Sequence, residues 1–237
     1  MALDASGTPF DPIAEANHRI ANHLAMVCGM FRLHSQELKR RTQPITNEEA
    51  AAILGSMEAK VVAVANLHRL LARPQNEDTV DLADYLGNVA AGVVAALTAG
   101  QPPRLDLALM PDCLATPRQA FAIALIVSEV LTNSLKYAHP TGVAGHMSVT
   151  CARSAGHLMI RIADDGIGFP DGFDPESDGA LGFRVIRGLA AQLEGEIRFQ
   201  SDPLGTIAEL TVPMCAETNP RAAAGFLRER AAVADKA

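Results

Sequence analysis

The sequence has no tryptophan and two tyrosines among 237 residues, so its core has to be aliphatic. Cysteine is scarce. Cys28, Cys113, Cys151 and Cys215 stand far apart and form no CxxC pair. That excludes a disulfide scaffold and the usual spacing of a zinc site, and reads as reduced, mostly buried thiols of a cytoplasmic protein. Basic charge is in deficit: the formal net charge is −7, which speaks against nucleic-acid binding. The opening residues MALDASGTPFDP show no basic region followed by an apolar run, so no secretory leader is expected there. The apolar runs are Ala-rich and broken by Gly, Pro or charge, and none is expected to reach the length of a membrane span. What is present in quantity is apolar side chain, 49% of residues, enough for a real core. The length suits one large domain or two small ones.

After ten residues that read as a loose leader, Pro12 to Arg41 has a helical pattern, with apolar residues at Ile13, Ile20, Leu24, Val27, Phe31 and Leu38. Pro44 marks a turn. Thr46 or Asn47 can cap a second helix with Glu48 and Glu49 in its first turn. Its stripe is Ala50, Leu54, Met57, Val61, Val64, His68 and Leu71, in steps of four and three, the seam of a coiled coil. Residues 11–73 are therefore expected to form a helical hairpin, completed to a four-helix bundle by a homodimer. The other way to cover the seam is to dock it on the rest of the chain.

Residues 74–78 read as a linker. A new pattern follows over 79–215: a helix over 81–99, a strand over 104–109, a helix over 117–138, strands over 146–152 and 158–163, a Gly/Asp/Pro-rich loop, a helix over 181–193, and a hairpin of 196–200 with 206–212. Together these predict an α/β two-layer sandwich, so the fold class is α + α/β. Residues 216–237 read as a polar, Ala-rich helical tail.

The chain is organised around IVSEVLTNSLKYAHP, residues 126–140. Glu129, Asn133 and Lys136 are four and three residues apart and share one helix face, opposite Ala124, Val127, Leu131 and Ala138. An acid, an amide and a base together suit a Mg-nucleotide: oxygens for the hard cation, an ammonium for phosphate. Alone, the pattern also fits an ordinary solvated face. Further on, Asp164-Asp165-Gly166-Ile167-Gly168 follows a strand, Gly179-Ala180-Leu181-Gly182 opens a helix, and Gly205-Thr206 begins the last strand. Glycines let a backbone turn tightly and approach a ligand. A helix start binds phosphate.

In this order the four elements resemble the N, G1, G2 and GT boxes of the Bergerat (GHKL) ATP-binding fold, over roughly residues 79–213. The resemblance implies that Glu129 positions or activates the attacking group, Asn133 is the Mg²⁺ ligand and Lys136 contacts phosphate. It implies that Asp164 pairs with the adenine amine, Gly166 and Gly168 shape the pocket, Gly182 sits against the phosphates and Thr206 supports the adenine end. Residues 15–24, Glu-Ala-Asn-His-Arg-Ile-Ala-Asn-His-Leu, resemble the phosphoacceptor box ExxHRxxNxL of the HWE kinases and of their sister class, the second HisKA type. Ser128 stands where the HWE class has its His, and there is no Trp, so the second HisKA type fits better. Glu15, His18 and Asn22 share a helix face. A free imidazole titrates at about 6.5, which leaves a neutral fraction at pH 7 to attack a phosphorus. His23, His34 and His68 read as structural.

The resemblance thus implies a cytoplasmic histidine kinase core, without a sensor in its short leader. It would use ATP and Mg²⁺ to phosphorylate His18, with a response regulator receiver domain as partner and a sensor on a separate protein as a further one. No membrane or nucleic-acid partner is expected. Two other classes remain: a histidine phosphotransferase with a vestigial nucleotide site, and an anti-sigma-type serine kinase. The latter has no use for the Glu15 to Leu24 box.

Overall fold

The computed structural model describes residues 12–71, 79–98, 102–140, 143–177 and 181–214. The expected leader, the 74–78 linker, Gly179 and Ala180, and the 216–237 tail lie outside the described residues. The chain divides into two compact units, one ending at Thr42 and the other beginning at Gln43. Each is taken by itself.

The first unit is one helix, α1 (Pro12–Arg40), with Lys39 and Arg40 in its last turn, where cations complement the helix dipole. His23, Val27 and Met30 are buried, four and three residues apart, whereas Ile20 and Leu24 are exposed. The buried stripe is thus rotated from the one read in the sequence, and among the residues whose burial is described only Val27 belongs to both.

The second unit opens with α2 (Asn47–Leu71). Its start is a capping box. The Thr46 hydroxyl accepts from the Glu49 N–H at 3.1 Å, and the Glu49 carboxylate accepts from the Thr46 N–H at 3.0 Å. Next come β1 (Val80–Asp81), α3 (Leu82–Leu97), β2 (Arg104–Leu109), β3 (Leu114–Ala115) and α4 (Pro117–Tyr137). The chain continues with β4 (His146–Ser154), β5 (His157–Asp164), α5 (Leu181–Gln192), β6 (Glu196–Asp202) and β7 (Gly205–Pro213). The longer elements match the pattern-based expectation closely. The two-residue strands β1 and β3, which pair with each other, are too short to leave a period in the sequence.

The main sheet has five strands in the order β2-β4-β5-β7-β6. β2 runs parallel to β4, and every other neighbouring pair is antiparallel. Alternate residues bury one face: Met147, Val149 and Cys151 on β4, Leu158, Ile160 and Ile162 on β5, Ala208, Leu210 and Val212 on β7. Helices α3, α4 and α5 pack as a layer beside it. Burial pushes the thiols of Cys113 and Cys151 up, away from the reactive thiolate form.

The hairpin expectation places the domain boundary at 74–78. In the structure α2 packs on α3 and α4, on the other side of that boundary. Among the residues whose burial is described, the face it buries shares only Val64 with the four-three stripe. Gly55, Ser56, Ala59, Lys60, Ala63, Val64 and Leu67 are buried, while Leu54 is 66% and Val61 47% exposed. The physical reason is close approach. A side-chain carbon on Gly55 would lie 2.8 Å from the Ala96 carbonyl oxygen, so a small-residue face is what can pack here. The Tyr85 hydroxyl, buried on α3, donates to the Ala63 carbonyl at 3.0 Å and ties the two helices. Its burial raises the energy of the phenolate, so it stays a donor.

Two helices are long and apolar enough to cross a membrane, α2 over Asn47–Arg69 and α4 over Pro117–Tyr137. This corrects the expectation that no segment reaches that length. The apolar residues of α4 are spent on the interior, since it lies between the sheet and α2 and is buried nearly throughout.

Replacing Tyr85 by Phe removes one neutral hydrogen bond without changing the packing volume much. Urea unfolding is expected to show a loss of about 0.5–1.5 kcal/mol. An unchanged stability would mean that apolar contact alone holds α2 in place.

Candidate functional site: a nucleotide cradle on helix α4

Thr116 caps α4 by a reciprocal box with Gln119, and Pro117 occupies the first turn, where its missing N–H costs nothing. The helix carries three of the expected site residues. Glu129 is only 3% exposed, so the solvated face expected from spacing is not what forms there. Its Oε1 lies 3.1 Å from the ammonium of Lys60 on α2, itself 0% exposed. The angles are poor for a hydrogen bond, so the contact is one of opposite charges rather than an aligned donor and acceptor. The Lys60 ammonium donates instead to Ser56, to its hydroxyl at 2.6 Å and its carbonyl at 3.2 Å.

One turn later Asn133 is half-buried, and Lys136 is half-buried near the helix end. Gly182 on α5 stands against this face. A side-chain carbon there would lie 3.6 Å from both Glu129 Oε2 and Asn133 Nδ2, and 3.7 Å from Asn133 Oδ1. The first turn of α5 therefore meets a carboxylate and an amide. Its N–H groups lack intrahelical partners, and its dipole end is positive. Oxygen donors beside such a helix start are the chemistry a divalent cation on phosphate requires.

A second cluster gathers where β5 ends. The Asp164 carboxylate accepts from the Ser134 hydroxyl at 2.7 Å, from the Gly166 N–H at 3.1 Å and from the Thr206 N–H at 3.2 Å. Thr206 is its partner in the β5–β7 register. Each carboxylate oxygen can accept about two bonds, so capacity remains for a ligand amine. Gly166 serves close approach. A side-chain carbon there would meet Ala138 at 2.4 Å, and the next N–H, of Ile167, donates to the Ala138 carbonyl at 3.0 Å. Gly168 serves conformation, with φ at +71°. Asp165 faces away, bonded by the His146 N–H and by His139, both at 2.8 Å. These bonds, the backbone one first, hold its carboxyl below the usual range.

Beyond Gly168 the segment 169–177 packs through aromatics. Phe169, Phe173, Phe183 and Phe199 form one cluster with ring centroids 5.1–6.2 Å apart. Phe183 directly follows Gly182, so the cluster joins the post-strand loop to the start of α5. Arg187 donates to the Pro175 carbonyl and lies 4.0 Å from Glu176, which ties the same segment to α5.

The fold thus brings Glu129, Asn133 and Gly182 together, and separately Asp164, Gly166 and Thr206. Asn133 and Ser134, adjacent on α4, belong one to each group. Sequence reasoning passed over Lys60, Ser134 and the Phe cluster. Lys60 had a signal: it is the only charge between Glu58 and Arg69 on an otherwise apolar stretch. On α1, in the other unit, His18 and Asn22 are exposed, and Glu15 lies in the same helix.

Comparison with known proteins gives the family. Residues 119–216 match the family of histidine kinase-, DNA gyrase B- and HSP90-like ATPases. Residues 15–97 match a histidine kinase family, HisKA_2. Blue-light-activated histidine kinase 2 of Erythrobacter litoralis is 28% identical over 208 residues, covering 85% of this chain and 57% of that protein. Sensor histidine kinase PdtaS of Mycobacterium tuberculosis is 28% identical over 209 residues, covering 85% of this chain and 39% of that one. The chain therefore spans between two fifths and three fifths of the length of these relatives. Among solved structures, the histidine kinase domain of Erythrobacter litoralis EL346 superposes with a TM-score of 0.66 at 26% identity, covering 86% of this chain and 94% of that domain. The chain belongs to the histidine kinases, with a HisKA_2-type helical region followed by an ATP-binding domain of the kind found in gyrase B and HSP90.

Proposed function

We propose that the chain moves the γ-phosphoryl group of ATP to His18, and from there to an aspartate of a response regulator receiver domain. The observation that carries this reading is the grouping of Glu129 and Asn133 against the first turn of α5. The exposed His18 in its ExxHRxxNxL setting supplies the acceptor.

In this reading the adenine amine lies at Asp164, whose carboxylate is already oriented by Ser134, Gly166 and Thr206. Gly168 keeps the loop clear of the nucleotide. Asn133 holds Mg²⁺, which would neutralise charge on the phosphates. Lys136 and the start of α5 at Gly182 meet the phosphate oxygens. A neutral imidazole nitrogen of His18 forms the N–P bond as the bond from the γ-phosphorus to the bridging oxygen breaks, and ADP leaves. Glu129 is the carboxylate that positions or activates the attacking group. Such a transfer asks the protein for positioning and charge more than for covalent work. The supply of ATP and of receiver domains locates the reaction in the cytoplasm. A sensor would be a further part, on this or another chain.

Labelled ATP tests the reading. The label is expected to be acid-labile and base-stable, as phosphohistidine is. His18→Ala is expected to abolish it while a fluorescent nucleotide still binds. Wild-type labelling of that variant would move the acceptor elsewhere.

Asp164→Asn tests the adenine end. It replaces an acceptor by an amide that confronts the Ser134 hydroxyl or the backbone N–H groups. ATP affinity is expected to fall by about 1.5–3 kcal/mol, with little effect on GTP. Equal losses would indicate a folding defect instead.

We also propose a homodimer in which the outer face of α2 is covered, as in the expected four-helix bundle. Leu54 and Val61 leave that face apolar and open. Light scattering is expected to give twice the 25.0 kDa of one chain, and Val61→Glu to return it to 25.0 kDa. Val64 is buried on the inner side and would report on folding instead. A wild-type mass of 25.0 kDa at all concentrations overturns the dimer.

A further inference from the structure

Lys60 is the one charge that the sandwich does not supply for itself. It stands on α2, fully buried among Gly55, Ser56, Ala59 and Ala63, and it reaches a carboxylate on α4. An ammonium has three donors. Ser56 takes bonds at 2.6 and 3.2 Å, which fixes where the nitrogen sits, and Glu129 Oε1 is 3.1 Å away. The two oxygens of Glu129 are thereby divided. Oε1 is the oxygen near Lys60, and Oε2 is the one near Gly182, where the Asn133 amide also comes close. The attraction of the Lys60 ammonium favours the orientation of the carboxylate in which Oε1 is turned to it and Oε2 to Gly182. Preorganisation of this kind is how a supporting residue acts on a reacting one.

We propose that Lys60 is a positioning residue for phosphoryl transfer: through Glu129 Oε1 it sets the direction of Oε2, so the competence of the nucleotide site depends on the seating of α2. The proposal rests on the reading of Glu129 given above and adds to it a residue outside the sandwich. Lys60 touches neither nucleotide nor acceptor and acts only through Glu129.

The test is a double-mutant cycle on the full chain: Lys60→Met, Glu129→Gln and the pair together, with Lys60→Arg as the conservative variant. Autophosphorylation kcat and the KM for Mg-ATP are measured, with fluorescent-nucleotide affinity alongside. Lys60→Met is expected to lower kcat by roughly tenfold to a hundredfold, with KM and affinity near wild type. Lys60→Arg is expected to recover part of the rate. In the Glu129→Gln background Lys60→Met is expected to change kcat no further, because its only route of action is gone. Lys60→Arg keeps the buried charge, so if Lys60→Met or Glu129→Gln alone fails to fold the test rests on it: kcat lowered at wild-type nucleotide affinity supports the proposal, and affinity lost together with kcat overturns it. A kcat that falls by the same factor in both backgrounds makes Lys60 merely structural and overturns the proposal. A rise in kcat overturns it also, since Lys60 would then be withholding Glu129. Wild-type kcat in Glu129→Gln removes the reading of Glu129 itself, and the Lys60 proposal with it.

Discussion

Burying a carboxylate on α4 obliges the fold to bury a cation beside it, and much of the second unit follows from that obligation. An isolated charge in a protein interior is too costly to keep. Glu129 sits in a helix covered by the sheet on one side and by α2 on another, so solvent cannot supply the counter-charge. Lys60 supplies it. Removing either partner of such a pair typically costs about 3–5 kcal/mol, because the survivor is left unmatched. The same accounting says that a well-packed apolar pair would often be as stable. The charges are therefore better understood by what Glu129 faces than by what they add to stability. Its second oxygen lies near Gly182 at the start of α5, where the Asn133 amide also comes close.

Helix α4 is also the joint between the two ends of the site. Asn133 points into the group around Gly182, and its neighbour Ser134 donates to Asp164 at the end of β5. One residue step thus couples the oxygen-donor end to the carboxylate end. The rest of the Asp164 shell comes from backbone: the N–H of Gly166 in its own turn and the N–H of Thr206 across the β5–β7 ladder. Backbone donors are placed by the sheet register, so their precision comes with the fold. The four-phenylalanine cluster then closes the loop after Gly168 onto α5, which keeps the same helix start in place from the other side.

Local signals were legible and tertiary ones were not. The 3.6 and 2.0 periods place α1, α2 and the helices and longer strands of the sandwich within a few residues, and Thr46 is visible as a cap from its spacing to Glu49. The grouping of Glu129, Asn133 and Gly182 was inferable only through the ordered motifs, since Gly182 is 49 residues from Asn133 and no local rule links them. Packing decided one alternative and reversed one expectation. The polar stripe of α4 also fitted an ordinary solvated face, yet Glu129 is buried, because a helix face is exposed only if nothing else covers it. The Ala50 to Leu71 stripe reads as the seam, yet the face that packs keeps only Val64 of it among the described residues and adds Gly55, Ser56, Ala59, Lys60, Ala63 and Leu67. Hydrophobicity alone ranks Leu54 above Gly55 as a buried residue. Interhelical distance ranks them the other way.

That reversal and the buried ion pair explain each other. A lysine side chain is long, but Lys60 must meet Glu129 while its nitrogen is also held by Ser56 one turn back on its own helix. The seating of α2 on α3 sets where that nitrogen stands: at Gly55 the Ala96 carbonyl of α3 occupies the place a side chain would need, and Ala59 and Ala63 are buried on the same face. The Tyr85 hydroxyl reaching the Ala63 carbonyl fixes that approach on the α3 side. Larger apolar residues on this face would bury more area and stabilise more. A side chain at Gly55 would instead hold α2 away from α3 and shift where Lys60 stands relative to Glu129. The large residues Leu54 and Val61 accordingly stand on the outer face, where they do not set the distance. The contact with α3 thus sets where α2 stands, and from that seat Lys60 delivers its charge to Glu129 on α4.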